Sequence, residues 1–273
     1  MKVDKKIFPW KNNIITFYLS TILIITLASF FAKEISGHSP FQIKFSGALP
    51  PSQKHLFGTD FLGRDILSRT LIAGRISIAV GLAARLGSVI LGLIIGILSG
   101  LSSRGIRSML NGIIEVFLSI PSLLLALALS VSLGEGFRTI IIAIVVGTWA
   151  PVAKFVLVRV TQIKNEDYVV SARAIGSDNI RIIIFSIIPA LIPSLLPIIT
   201  TGIATSIMME STLSFLGMGG ASSIDTIPSW GLMIQEGSRF IFEAPWLILP
   251  PSLILMILIL CFNQIGDKLS SKS

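Results

Sequence analysis

Six stretches of this sequence are apolar for long enough to cross a lipid bilayer, and no other feature restricts the fold as strongly. They cover about residues 14–31, 76–101, 112–133, 139–158, 187–209 and 246–264, where a spanning helix needs ~20 residues. Lipid offers the backbone no hydrogen bonds, so such segments must satisfy their own N–H and C=O groups and fold as helices. The expected fold class is therefore all-α, a polytopic membrane protein with six transmembrane helices in one domain over residues 14–265. Composition agrees. The chain is 52% hydrophobic and 13% charged, whereas soluble domains carry about 25% charged residues.

The basic residues set the orientation. Residues 1–13 hold Lys2, Lys5, Lys6 and Lys11, directly before the first apolar run. A secretory signal has a similar leader, but this run is longer than a usual signal core and FFAKEIS is a poor cleavage site. A retained first span with a cytosolic N-terminus is expected. Six crossings return the tail, residues 266–273 with Lys268 and Lys272, to the same side. That assignment puts 13 Lys/Arg inside and 8 outside, six of the eight in the outer segment 32–75, as positive-inside topology requires. The net charge of +8 is thus a matter of topology. No nucleic-acid partner is expected, because the basic residues sit at run ends without interleaved aromatics.

Within residues 32–75, Asp60 with Arg64 and Asp65 with Arg69 are each four apart. With Thr59 as N-cap, this spacing predicts a short amphipathic helix beginning near residue 59 and leading into the second span. In the second span, Gly81, Ala83, Ala84, Gly87, Gly92 and Gly96 allow close helix packing. Pro121, Pro151, Pro193, Pro197, Pro250 and Pro251 predict kinked helices. Residues 210–245 are dense in Gly, Ser and Pro yet carry Phe215, Leu216 and Trp230. They read either as a re-entrant or surface-lying segment at the outer mouth, or as an interfacial anchor centred on Trp230 and Trp246.

Enzymatic chemistry has little footing here. There is no GxxxxGK[ST] phosphate loop, and His38 and His55 share one outer segment, which leaves no catalytic triad and no metal site. Cys261 has no partner for a disulfide. Charges inside apolar runs are costly and ask for a reason. Arg85 either snorkels to the outer interface or faces a partner or an aqueous path. Glu115 and Glu210 lie near span ends and either reach interfacial water or line a pathway.

A polar interruption at residues 159–186 runs into the fifth span. Its stretch from Asp167 is rich in small residues (Ser171, Ala172, Ala174, Gly176) and carries Arg173, Asp178 and Arg181. It reads as a cytosolic loop containing a short helix.

Seven segments in order resemble the permease subunits of bacterial ABC importers, specifically the second membrane subunit of the dipeptide, oligopeptide and nickel uptake family. They are FGTDFLGRDILSR (57–69), RISIAVGL (75–82), EVFLSIPSLLLALAL (115–129), YVVSARAIGSDNIRII (168–183), ESTLSFLGMG (210–219), PSWG (228–231) and FNQIGDKL (262–269). The resemblance covers nearly the whole chain after residue 50. It implies a type I importer permease fold in a bacterial inner membrane, with both termini cytoplasmic. The implied partners are a second, homologous permease, two cytosolic ATPases, an extracytoplasmic solute-binding protein and membrane lipid. ATP and magnesium would belong to the ATPases, with no cofactor on this chain. The implied cargo is a di- or oligopeptide, with nickel or a metal chelate as the family's alternative.

In that family the segment matching residues 168–189 is a cytosolic helix that docks in a cleft of an ATPase. By resemblance its contact residues are Tyr168, Ser171, Ala172, Arg173, Ala174, Gly176 and Pro189. Val170 stands where the family has a glutamate, and Phe185 and Ser186 replace a polar pair, so the usual charged contact is either absent or supplied by Glu166, Asp167 or Arg173. The translocation pathway or gate is expected among Arg85, Glu115, Ser119, Pro121, Glu210, Ser211, Phe215 and Trp230. An ion-coupled secondary carrier is the remote alternative. It would show inverted repeats and paired midplane charges, and neither is evident.

Overall fold

A computed structural model of the chain describes residues 13–43, 47–219 and 227–271. Nearly all of residues 1–13, together with 220–226 of the outer segment and Lys272, lie outside the described residues. The described chain is helical, with no strand beyond a single bridge between Thr59 and Asp65. Helix α1 (Asn13–Phe30) runs into a short turn of helix, α2 (Ala32–Ser36). Arg75 closes the end of α1 by donating to the Ser29 and Phe30 carbonyls at 2.8 and 2.6 Å, a favoured place for a cation.

Helix α3 (Ile66–Leu101) has 36 residues, about 54 Å at helical rise. It therefore includes ten residues assigned above to the outer segment. The expected helix at residue 59 does not form. Residues 58–65 are instead a loop in which Thr59 Oγ1 donates to the Gly47 carbonyl and accepts from the Leu49 amide. The N-cap is Asp65, whose carboxylate accepts from the Ser68 amide at 2.8 Å. Asp65 also pairs with His55 at 2.9 Å, so it is not the partner of Arg69.

The third apolar run is not one straight helix. Helices α4 (Arg104–Ser119) and α5 (Ser122–Leu133) meet at an angle of 86°. The break is at Pro121, whose ring disfavours helical backbone at the preceding residue. After α6 (Phe137–Ile163) come α7 (Asp167–Ala174) and α8 (Asn179–Ile182). Five residues of π-helix (Ile183–Ile187) then lead into α9 (Ile188–Phe215). A short helix α10 (Trp230–Ser238) and a 3₁₀ turn (Pro245–Leu247) precede α11 (Leu249–Ser270). Five helical stretches are long and apolar enough to cross a membrane, and the bent pair α4–α5 makes a sixth when counted as one span.

Helices α3 and α6 form the spine, and small residues set their separation. A Cβ on Gly92 would lie 2.6 Å from Val152 Cβ, one on Gly96 2.6 Å from Val156 Cβ, and one on Gly100 2.8 Å from Val160 Cβ. Glycine at every fourth position of α3 thus leaves a groove that receives a valine ridge of α6. Around the spine, α9 contributes Met209 and Leu213 to the buried cluster at one end, and Leu191 and Leu195 to the cluster at the other.

Candidate functional site

Three places hold the candidate residues: the loop after α6, the middle of the bundle, and the junction of α3, α9 and α10.

In the first, two residues fasten α7 to the bundle. Val169 is fully buried and Ala172 partly so, both against the cluster of Val160, Ile182 and Ile187. Their spacing of three puts them on one helical face. Ser171, Arg173 and Ala174 are exposed, as are Tyr168 and Val170. Ala172, expected on the docking surface, is therefore mainly a contact within this chain. At the C-terminus of α7, the Gly176 amide donates to the Arg173 carbonyl and the Ser177 amide to that of Ala172, both at 3.0 Å. These are the two bonds of a Schellman closure, which needs a left-handed residue at Gly176. Its φ is +86°.

Beside that turn, Ile175 is 84% exposed, and Ile180 and Phe185 are also open. Exposed large apolar side chains on an otherwise polar loop are the kind of feature found at contact surfaces. Beneath it lies a basic support. Arg107 donates to the carbonyls of Ser99, Gly100 and Ser102, and Lys164 to that of Gly100, closing the C-terminus of α3. Burial first, then the charges of Arg107 and Arg173, push the Lys164 ammonium below its usual range. Pro189 is exposed in the first turn of α9.

In the middle of the bundle, Arg85 is the twentieth residue of α3 and only 6% exposed. It does not snorkel outward. Its Nη2 donates to the Ile198 carbonyl of α9, and its guanidinium occupies the space a side chain at Gly202 would need. Glu115, on the open face of α4, is exposed and pairs with Lys154 of α6 at 3.0 Å. Asn111 bridges the two. Ser119 turns its hydroxyl to the Val116 carbonyl, and Pro121 occupies the break before α5.

At the third place, Glu210 is fully buried, which removes access to interfacial water from its two readings. Its run does not end at residue 209, because α9 continues to Phe215. The carboxylate takes hydrogen bonds from Ser77, Ser211, Ser214 and Ser229, joining α3, α9 and the cap of α10. Trp230 is likewise fully buried rather than an interfacial anchor. Its Nε1 donates to the Thr70 carbonyl at 2.8 Å, and its amide donates to Ser77. Phe215 remains part-exposed at the end of α9. Nearby, Arg64 pairs with Asp60 at 2.6 Å, and Arg69 reaches Glu236 of α10 at 3.3 Å. This junction is a structural lock. Trp230→Ala should lower stability by about 3–5 kcal/mol through the cavity it leaves, read as a fall in the thermal midpoint of the detergent-solubilised protein; an unchanged midpoint would refute the lock.

Sequence reasoning did not single out Ser122, Gly147, Thr148, Thr205 or Ile175. The first four join Arg85 in one cavity, formed by residues distant in the chain. For Ile175, the available signal was an isoleucine beside a turn glycine in an otherwise polar loop.

Residues 92–272 match the family described as binding-protein-dependent transport system inner membrane component. The dipeptide transport system permease protein DppC of Alkalihalophilus pseudofirmus is 34% identical over 260 residues, 95% of this chain and 84% of that protein. The oligopeptide transport system permease protein OppC of Bacillus subtilis is 34% identical over 278 residues, 98% of this chain and 90% of that protein. Among solved structures, the MetNI methionine ABC transporter in an inward-facing conformation has a chain similar at TM-score 0.59 and 18% identity. That match covers 74% of this chain and 95% of the other. At this identity the likeness concerns the fold.

Proposed function

Because this chain belongs to the binding-protein-dependent transport system inner membrane components, we propose that it is a permease subunit of an ATP-driven importer of di- or oligopeptides. The observation that carries the coupling part of this reading is the exposed face around Ile175 and Gly176 on a helix pinned to the bundle by Val169 and Ala172. A rigid knob of this kind passes movement of a docked ATPase to α6 and α9 on either side of it. ATP and magnesium are held by two such ATPases, and a binding protein delivers cargo at the opposite mouth. The second permease completes the pathway as a heterodimer, and alternating access follows when docking energy shifts the balance of two arrangements.

Val170 takes the position of the family's acidic residue and is exposed. Docking here therefore relies on apolar contact through Val170 and Ile175, with Arg173 and Asp167 flanking it.

The test is reconstitution. The purified chain alone in liposomes is expected to move no peptide under any ion gradient, whereas the complex with its ATPases, partner permease and binding protein takes up a labelled dipeptide on adding ATP. Gradient-driven uptake by the chain alone would replace this reading with that of a secondary carrier.

A further inference from the structure

Among the described residues, the charge in the middle of the bundle has no counter-ion. A cavity of about 250 Å³ lies between α3, α5, α6 and α9, lined by Arg85, Ser122, Thr148, Thr201, Thr205 and Ser206 among others. Among the described residues, no carboxylate lines it. Arg85 is more than nine-tenths buried, and its Nε has no hydrogen-bond partner. The single carbonyl at Ile198 leaves most of its donors free for something else. A charge kept at such a depth is costly and persists where it serves structure or function.

A second feature of the same cavity has the same sign. Ser122 is the first residue of α5, a helix of 12 residues with no side-chain cap. The Leu125 amide closes on the Pro121 carbonyl, so the N–H groups of Ser122, Leu123 and Leu124 fall outside the helical ladder. They carry the positive end of the helix dipole. Two glycines bring these features together. A Cβ on Gly147 would come 2.8 Å from the Ser122 carbonyl, and one on Gly202 would collide with the Arg85 guanidinium. The break at Pro121 is what exposes a helix start there at all.

We infer that this cavity receives the α-carboxylate of the transported peptide, held by Arg85 and the N-terminus of α5 with hydroxyls of Thr148 and Thr205 beside it. A guanidinium and uncapped amides are the donors that carboxylates select, and a broken helix offering its N-terminus to an anionic cargo is a known arrangement in membrane transport. The inference rests on the peptide-importer reading, and it makes Arg85 a specificity-determining residue within that pathway.

The experiment uses the full reconstituted complex and two probes, labelled trialanine and its C-terminal amide, each saturating the same wild-type binding protein. Arg85→Gln should reduce uptake of the acid about tenfold or more, the usual weight of a lost charge-assisted contact, and leave the amide within about twofold. Thr205→Glu, which tethers a carboxylate inside the cavity, should remove the preference for the acid without touching Arg85. Acid and amide falling together in Arg85→Gln would assign the guanidinium a purely structural role and overturn the inference. So would an intact preference in both variants. A wild-type complex that moves neither peptide would instead overturn the importer reading.

Discussion

Gly176→Glu is expected to abolish ATP-coupled uptake while the chain still inserts and still pairs with its partner permease. The geometry at Gly176 separates these outcomes. With φ at +86°, any L-residue there pays about 1–2 kcal/mol of backbone strain. A Cβ, however, would meet nothing within 4 Å, so no core contact is lost. That strain is too small to unfold a bundle of this size. The carboxylate would instead stand beside Ile175 in the apolar patch, where an ATPase would have to bury it unpaired at a cost of several kcal/mol. Gly176→Ala is the control, with the same strain and no charge, and should retain most of the uptake. The measurement is uptake per inserted complex together with recovery of the ATPases on affinity purification in mild detergent. Full uptake and full recovery with Gly176→Glu would show that this turn is not the coupling surface. Ala172 is a poorer probe, because it packs against this chain's own core, and a bulky residue there would report on stability.

Gly96→Leu should do the reverse and prevent the bundle from forming. Its Cβ alone would fall 2.6 Å from Val156 Cβ and 2.8 Å from the Ala153 carbonyl. The carbonyl is backbone, so it cannot yield by changing rotamer. The spine must open along the α3–α6 groove, and the contacts at Gly92 and Gly100 loosen with it. Overpacking of a single site costs about 1–3 kcal/mol, and disturbing the two neighbouring contacts raises the total above that range. The expected result is aggregation or a large fall in the detergent melting temperature. Gly105→Leu is the matched control, since a Cβ there meets nothing within 4 Å, and should leave the midpoint unchanged. Equal midpoints for the two variants would refute the glycine groove as the determinant of packing.

Local and long-range features of this chain differ in how far its sequence specifies them. Features that depend on residues near each other in the chain were legible. The length of an apolar run determines that it crosses lipid as a helix, and small residues recurring along α3 announce a close neighbour. A polar, small-residue loop between apolar runs announces a short helix, whose left-handed stop at Gly176 appears only in the structure. The boundaries of α3 and α9 were less legible, because Asp65 competes with Thr59 as a cap and a buried carboxylate at Glu210 does not end a helix that its serine neighbours satisfy.

Features that depend on the rotation of one helix against another came only with the tertiary structure. Arg85 has the same sequence context whether it snorkels or points inward. Its direction depends on Gly202, 117 positions away, where any side chain would occupy the space of the guanidinium. Trp230 looks like an interfacial anchor until Gly74 and the Thr70 carbonyl receive it. By itself, then, the sequence determined a polytopic helical bundle with a small-residue polar loop, carrying a short helix, between two of its spans. The placement of the buried Arg85, without a counter-ion among the described residues, beside an uncapped helix start was decided by long-range packing, because steric and hydrogen-bond complementarity between distant segments has no local period from which to read it.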